Sequence, residues 1–296
     1  MNSKSVSITL DWEKLAWVIV LILAICSRFY NLGERVISHD ESLHTHYSWQ
    51  LYRGQGFQHT PLMHGPFQFH ALAFSYFLFG ASDFTARIPA AVFGVVAVGL
   101  LWCFRGWIGR SGALVSGVLM TISPYFLYYS RYVRNEAFVV VWALLMAIAT
   151  FRYFETRKVS WIYLMVAVVA FHHATKEVAF IYQAIWMLFI FLRFVQDILT
   201  TQWDQPRMKT LFRVLFVVGL AAIVSALAFH GLGGQLTTLL SDDSQMQSAA
   251  EPAVGAELDT TSPLLANHGA IVAAGIGLTA LTVAVLVAFA GLRHKL

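Results

Sequence analysis

The sequence is short of charge, cysteine and proline. Only 12% of its 296 residues are Asp, Glu, Lys or Arg, about half the roughly 25% of an average soluble domain. Such a chain cannot clothe a globule in solvated side chains, so a soluble fold is excluded. The two cysteines, Cys26 and Cys103, each sit inside an apolar run. There they behave as small hydrophobes, and neither a disulfide framework nor a CxxC metal site can be drawn. The net charge of +4 is small, and the basic residues fall in short turns rather than in a patch or arm. Nucleic-acid binding therefore has no support. No internal repeat is visible, and HDESLHTH is not HExxH, which removes the zinc-protease signature. The first apolar run is not followed by a small-residue cleavage site, so 14–32 reads as a retained signal anchor.

What is abundant is apolar surface: 58% of residues are hydrophobic and the mean hydropathy is +0.63. Crossing a bilayer as a helix takes about 20 mostly apolar residues. Segments 14–32, 88–106, 112–130, 137–154, 159–175, 178–195, 211–230 and 269–291 satisfy this. The expected fold is all-α, a polytopic transmembrane bundle of about eight spans. FQFHALAFSYFLF at 67–79 is apolar but short, which suits a helix lying at the interface.

Charge placement tests that count. With 67–79 left out, Arg105 and Arg110, then Arg152, Arg157 and Lys158, then Arg193, Arg207, Lys209 and Arg213, then Arg293 and Lys295 all fall on one side. That is the positive-inside pattern, with both termini cytoplasmic. The opposite, outer side then holds the 33–87 loop, turns at 130–136 and 175–177, and an acidic, Ser/Ala/Pro-rich stretch at 231–268 that reads as a mobile loop.

The polar residues gather on that outer side. Residues 38–66 carry His39, Asp40, Glu41, His44, His46, Arg53, His59 and His64. A dense polar cluster in a loop invites a functional reading, and a solvated interfacial loop is the alternative. Adjacent carboxylates such as Asp40 and Glu41 can raise one another's pKa, as a general base requires. Arg131 and Arg134, three apart in YYSRYVRNEAF, would share a helical face able to hold phosphate; snorkelling anchors are the alternative. Lys176, beside Glu177, could bind an anionic headgroup or pair with Glu177 or Glu136. His172 and His173 suit helix packing better than ligation. A divalent ion, Mg²⁺ or Mn²⁺, bridging Asp40 to Glu136 is the candidate cofactor.

The order of these motifs carries a resemblance. An outer loop opening HDE is followed by HGP (His64, Gly65, Pro66), by PFQFHALAFSYFLFG, by ARIPAAVFG, by SPYFLYYSRYVRNE and by HATKE. This resembles the GT-C superfamily of polytopic glycosyltransferases, in its protein-mannosyltransferase-like and aminoarabinose-transferase-like branch. Within that branch it looks closest to an HDE-loop family of bacterial and archaeal members. The resemblance covers 15–195. It implies a sugar donor carried on polyprenyl phosphate or pyrophosphate, an acceptor hydroxyl on a protein, lipid or glycan, and chemistry at the outer face of a prokaryotic plasma membrane. It assigns Asp40 as the catalytic base with Glu41 in support, and Glu136 as the second acidic position. Arg131, Arg134 and Lys176 would hold the lipid phosphate, and His39, His64 and Glu177 would assist on the acceptor side. Two regions follow: a catalytic membrane module at 1–195, and two further helices at 196–296. The branch usually continues for several more spans, so the resemblance implies a shortened C-terminal half. The alternative function is a non-catalytic membrane subunit that scaffolds a larger assembly with a membrane protein partner.

Overall fold

The computed structural model describes residues 11–57, 64–203, 205–248 and 261–291. Every regular element among them is a helix. In chain order these are α1 (Trp12–Phe29), α2 (His39–Tyr52), α3 (Phe67–Phe79), α4 (Asp83–Leu100), a single 3-10 turn (Leu101–Phe104), α5 (Arg105–Ile108), α6 (Arg110–Ile122), α7 (Pro124–Tyr129), α8 (Glu136–Thr156), α9 (Val159–His173), α10 (Ala179–Thr200), α11 (Pro206–Ser248) and α12 (Thr261–Gly291).

Among the described residues, five stretches are long and apolar enough to cross a membrane: Asp83–Ile108, Glu136–Thr156, Ala179–Thr200, Pro206–Ala228 and Ile271–Ala288. The protein is an all-α polytopic membrane bundle. The other three expected spans are shorter or more charged helices. α1 carries Glu13 in its first turn and Arg28 in its last. α9 has 15 residues, roughly 22 Å at the helical rise. The expected 112–130 span is broken, because α6 stops at Ile122 and α7 restarts at Pro124. Proline has no N–H to continue the ladder and pushes the preceding residue out of helical geometry, so Ser123 becomes a cap.

The chain divides into two compact units, Met1–Leu188 and Phe189–Leu296. In the first, Trp17, Ala24, Val98, Phe138, Trp142, Met146 and Val168 form the core between α1, α4, α8 and α9. Phe67, the first residue of α3, inserts edge-on among Phe93, Phe138, Trp142 and Phe171. α3 is thus pinned at its start. Its C-terminal half leaves Phe74, Phe77, Leu78 and Phe79 exposed, apolar surface that an interfacial helix would turn to lipid.

This unit has two chemically different ends. At one, Arg110 approaches Glu13 at 3.5 Å, and the Trp107 indole donates to Glu155 at 2.5 Å with Arg152 over its ring. The N-terminus of α1, the α5–α6 junction and the end of α8 therefore meet there. The opposite end gathers α2, the 130–135 turn and the 174–177 turn.

In the second unit α11 and α12 pack closely. A Cβ on Gly277 would stand 2.9 Å from the Gly219 carbonyl oxygen and 2.7 Å from Ile223 Cγ1. Small residues let membrane helices approach in this way. The expected loop over 231–268 differs from the structure, since α11 continues to Ser248 and α12 starts at Thr261. Between Gly234 and Pro252 no glycine or proline interrupts the chain. Lack of an apolar stripe removes a packing face, not the helical preference of the backbone. Residues 249–260 of that expected loop, and His59, lie outside the described residues.

Candidate active site

The site begins at the N-terminus of α2. Ser38 is its cap residue, and Glu41, three positions on, reaches back to accept the Ser38 N–H at 3.1 Å. Glu41 is fully buried. Its Oε1 also accepts from Arg87 Nε at 2.9 Å and from the Val133 N–H at 3.1 Å, and its Oε2 accepts from Arg87 Nη2 and Arg35 Nη2, both at 3.0 Å. Burial by itself would raise the Glu41 pKa. The bonds from Arg87, Ser38 and Val133 outweigh it, and the carboxyl titrates below its ordinary value.

Asp40 goes elsewhere. Neighbouring residues on a helix project about 100° apart and do not face each other. Asp40 is half exposed and accepts from Arg134 Nη1 at 2.6 Å. The expected carboxylate pair is therefore split: Glu41 is a buried anchor, and Asp40 alone faces the site. His39, one residue earlier, is exposed.

From Asp40 a line of alternating charge runs across three segments. Arg134 Nε lies 3.8 Å from Glu136 Oε2, and Glu136 Oε1 accepts from Lys176 Nζ at 2.9 Å. Beside Lys176, Glu177 meets His64 Nδ1 at 2.6 Å. The HGP turn is held there by backbone. Gly65 and Phe67 donate their N–H groups to Thr175 and Ala174 carbonyls at 3.2 and 2.8 Å. A Cβ at Gly65 would fall 2.1 Å from the Ala174 oxygen, so only glycine permits this approach.

Arg131 does not join the line. Residues 130–135 are turn and bend between α7 and α8, so the three-residue spacing puts the two arginines on no common helical face. Arg131 instead donates to the carbonyls of Ser27, Tyr30 and Asn31 at 2.8, 2.7 and 3.3 Å, closing the end of α1. Arg131 also borders a cavity of about 370 Å³ with Arg35, Leu127 and Tyr128.

For a metal, the guanidinium of Arg134 already lies between Asp40 and Glu136. Among the described residues no three His, Cys, Asp or Glu side chains converge. These residues as placed do not fit a bridging divalent ion.

Sequence reasoning missed several residues. Arg87 and Arg35 look like ordinary helix-end and loop cations until the fold delivers them to Glu41. His44, singled out in the sequence only as a member of the 38–66 cluster, lies one turn after Asp40, buried beside the line of charge with its Nδ1 unpartnered among the described residues. Its pKa is pushed down to about 4 by burial first, then by the nearby positive charge of His64 and Arg134. Tyr132, whose hydroxyl meets Ser38 Oγ at 2.5 Å, stacks with Tyr128 under Arg35.

Residues 63–229 match the family described as dolichyl-phosphate-mannose-protein mannosyltransferase. That is more than half of the chain. The chain belongs to this family. Arg134, Glu136 and Lys176 lie inside the matched stretch of this mannosyltransferase-family protein, and Asp40 precedes it. No curated protein and no solved structure matches the chain.

Proposed function

We propose that the protein transfers a sugar from a polyprenyl-phosphate donor to an acceptor hydroxyl, with the Asp40–Arg134–Glu136–Lys176 line as the reaction centre. The observation that carries this reading is that line itself. Three segments far apart in sequence bring two carboxylates and two cations to one end of a membrane bundle, in a family of sugar transferases.

The chemistry asks for both signs of charge. The acceptor oxygen forms a bond to the anomeric carbon while the bond from that carbon to the phosphate oxygen breaks. The electron pair leaves with the lipid phosphate, and the hydroxyl proton must go to a base. Asp40 is the base in this reading: Arg134 holds one carboxylate oxygen and leaves the other for the acceptor proton. Lys176 and Arg134 offset charge growing on the departing phosphate. Glu136 orients both cations. His64 and Glu177, paired at the edge, border the acceptor side, and Glu41 acts from beneath by fixing the turn that presents Asp40.

The basic turns support an outer placement. Arg110 and Arg152 sit at the opposite end of the first unit, so with those turns cytoplasmic the line of charge faces outward at the water interface. Both termini are then cytoplasmic, and a prokaryotic plasma membrane is the proposed location.

The test is release of polyprenyl phosphate from mannosyl- and other hexosyl-phosphate lipids by the purified chain, wild type beside Asp40→Asn. Release lost in Asp40→Asn, with membrane insertion intact, is the expected result. Full activity of that variant removes Asp40 from the mechanism. Failure of the wild type to bind any such lipid favours the non-catalytic subunit instead.

A further inference from the structure

The line of charge accounts for a phosphate and a proton, and it leaves the sugar without partners. A sugar hydroxyl is both donor and acceptor, and neutral donors and acceptors held in place can meet it on both counts. Two buried side chains are of that kind and are not otherwise employed, one beside the line and one on a segment attached to it. His44 lies one helical turn beyond Asp40, only 6% exposed, with Nδ1 unpartnered among the described residues. Gln68, in the first turn of α3, is fully buried, and neither its amide nitrogen nor its oxygen has a partner there.

Their placement ties both to the site. The His44 ring packs on Phe69 at 5.4 Å between centroids, and Gln68 is the residue between Phe69 and Phe67. Phe67 is bonded through its N–H to Ala174, two residues before Lys176. Gln68 therefore sits on a segment held through one sequence neighbour to the helix of Asp40 and through the other to the turn of Lys176. Glu136 Oε2 is also buried without a hydrogen bond among the described residues. Leaving a buried polar group unpaired is costly, and a fold without a use for these atoms gains by replacing them with carbon.

We infer that His44 and Gln68 form the sugar subsite of this centre, hydrogen-bonding hydroxyls of the donor's hexose. The inference rests on the donor reading above. It adds the residues that would distinguish a sugar-bearing lipid from the bare lipid phosphate.

The experiment compares two probes on the full chain in lipid nanodiscs: mannosyl-phosphate polyprenol and polyprenyl phosphate of the same chain length. Wild type, Gln68→Leu and His44→Phe are measured with each, together with thermal unfolding. The expected result is that each variant loses about tenfold in affinity for the mannosyl lipid, the equivalent of one or two lost hydrogen bonds. Affinity for the bare lipid stays unchanged. Gln68→Leu unfolds at the same temperature as wild type or higher, which a packing role for Gln68 would not give.

If the variants keep the wild-type preference for the sugar-bearing lipid, the atoms serve only buried water and the subsite is refuted while the donor reading stands. Equal loss with both probes also refutes it, by placing the two residues on the phosphate or the fold. A wild type that binds neither probe overturns the donor reading and the subsite with it.

Discussion

Arg87 offers the sharpest test of how this end of the bundle is built. It and Glu41 are both fully buried, and two of the five hydrogen bonds on the Glu41 carboxylate come from Arg87. Arg87 Nη1 also donates to the carbonyls of Leu32 and Arg35 at 3.0 and 2.8 Å. Arg87→Met strips the buried carboxylate of its buried cation and leaves it only the half-exposed Arg35 and two backbone N–H groups, a loss of up to about 3–5 kcal/mol. Glu41→Gln keeps the shape but turns an amide NH₂ toward at least two of the donors, and should cost about 2–3 kcal/mol. Removing both partners, as Arg87→Met with Glu41→Leu, should cost at least 2 kcal/mol less than the sum of the single changes, because no orphaned charge remains. The assay is reversible unfolding in mixed micelles followed by tryptophan fluorescence. A pH series adds an independent check. The folded-state pKa of Glu41 lies below its ordinary value of 4.5. Its contribution is therefore complete above that pH and is lost as pH falls through the lower folded value. The stability gap between wild type and Glu41→Gln should narrow steadily as pH falls below 4.5. Single changes costing under about 1 kcal/mol and adding without coupling would refute the reasoning.

His44 should dominate a different window. Its folded pKa of about 4 lies below the ordinary 6.5, so the unfolded chain binds the proton first and stability falls as pH drops from 6.5 towards 4, by on the order of 3 kcal/mol. His44→Phe should flatten that stretch of an unfolding-versus-pH curve, and an unaltered slope would contradict the burial of a neutral ring. Lys176→Met should weaken lipid-phosphate binding about tenfold and, because the pair is mostly buried at 17% and 22% exposure, lower stability by about 1–3 kcal/mol; unchanged affinity would take Lys176 off the phosphate. Gly65→Ala, with a Cβ driven into the Ala174 carbonyl, should cost about 1–3 kcal/mol and depress transfer together with stability. A Gly65→Ala protein with wild-type unfolding would show that the HGP turn is not docked on residues 174–175.

Much of the fold was legible because bilayer crossing is written locally, in run length and hydropathy. Where local rules competed, they misled: Ser123–Pro124 cuts an apolar run that hydropathy alone joins, and the polar stretch after Gly234 holds a helix without an apolar stripe. The site was legible in part for the same reason. Asp40, Glu136 and Lys176 stood out as charges at the ends of apolar runs, where isolated charge is expensive. Glu41 and Arg87 are 46 residues apart, and nothing in either neighbourhood announces the other. Arg131 and Arg134 show the converse error, a helical spacing applied where the chain is not helical. Gln68 carries no pattern at all, and His44 is one histidine among several in the 38–66 cluster; burial and the lack of a partner distinguish the two, and both are properties of the folded chain.

The two carboxylates of the HDE motif make opposite demands, and their adjacency reconciles them. A base must stay accessible, whereas an anchor must be dry and fully bonded. Because consecutive helical residues diverge, one turn of α2 can send Glu41 into the bundle and leave Asp40 at its surface. The facing segment mirrors this. Val133 gives its N–H to Glu41, and the next residue, Arg134, gives its guanidinium to Asp40. The buried rung sets the register of the exposed one, so Asp40 and Arg134 meet at a distance fixed by atoms that water does not reach. Preorganisation of this kind spares the reaction the cost of assembling its charges. It also explains why residues spent wholly on structure lie directly beside the residues proposed to do the chemistry.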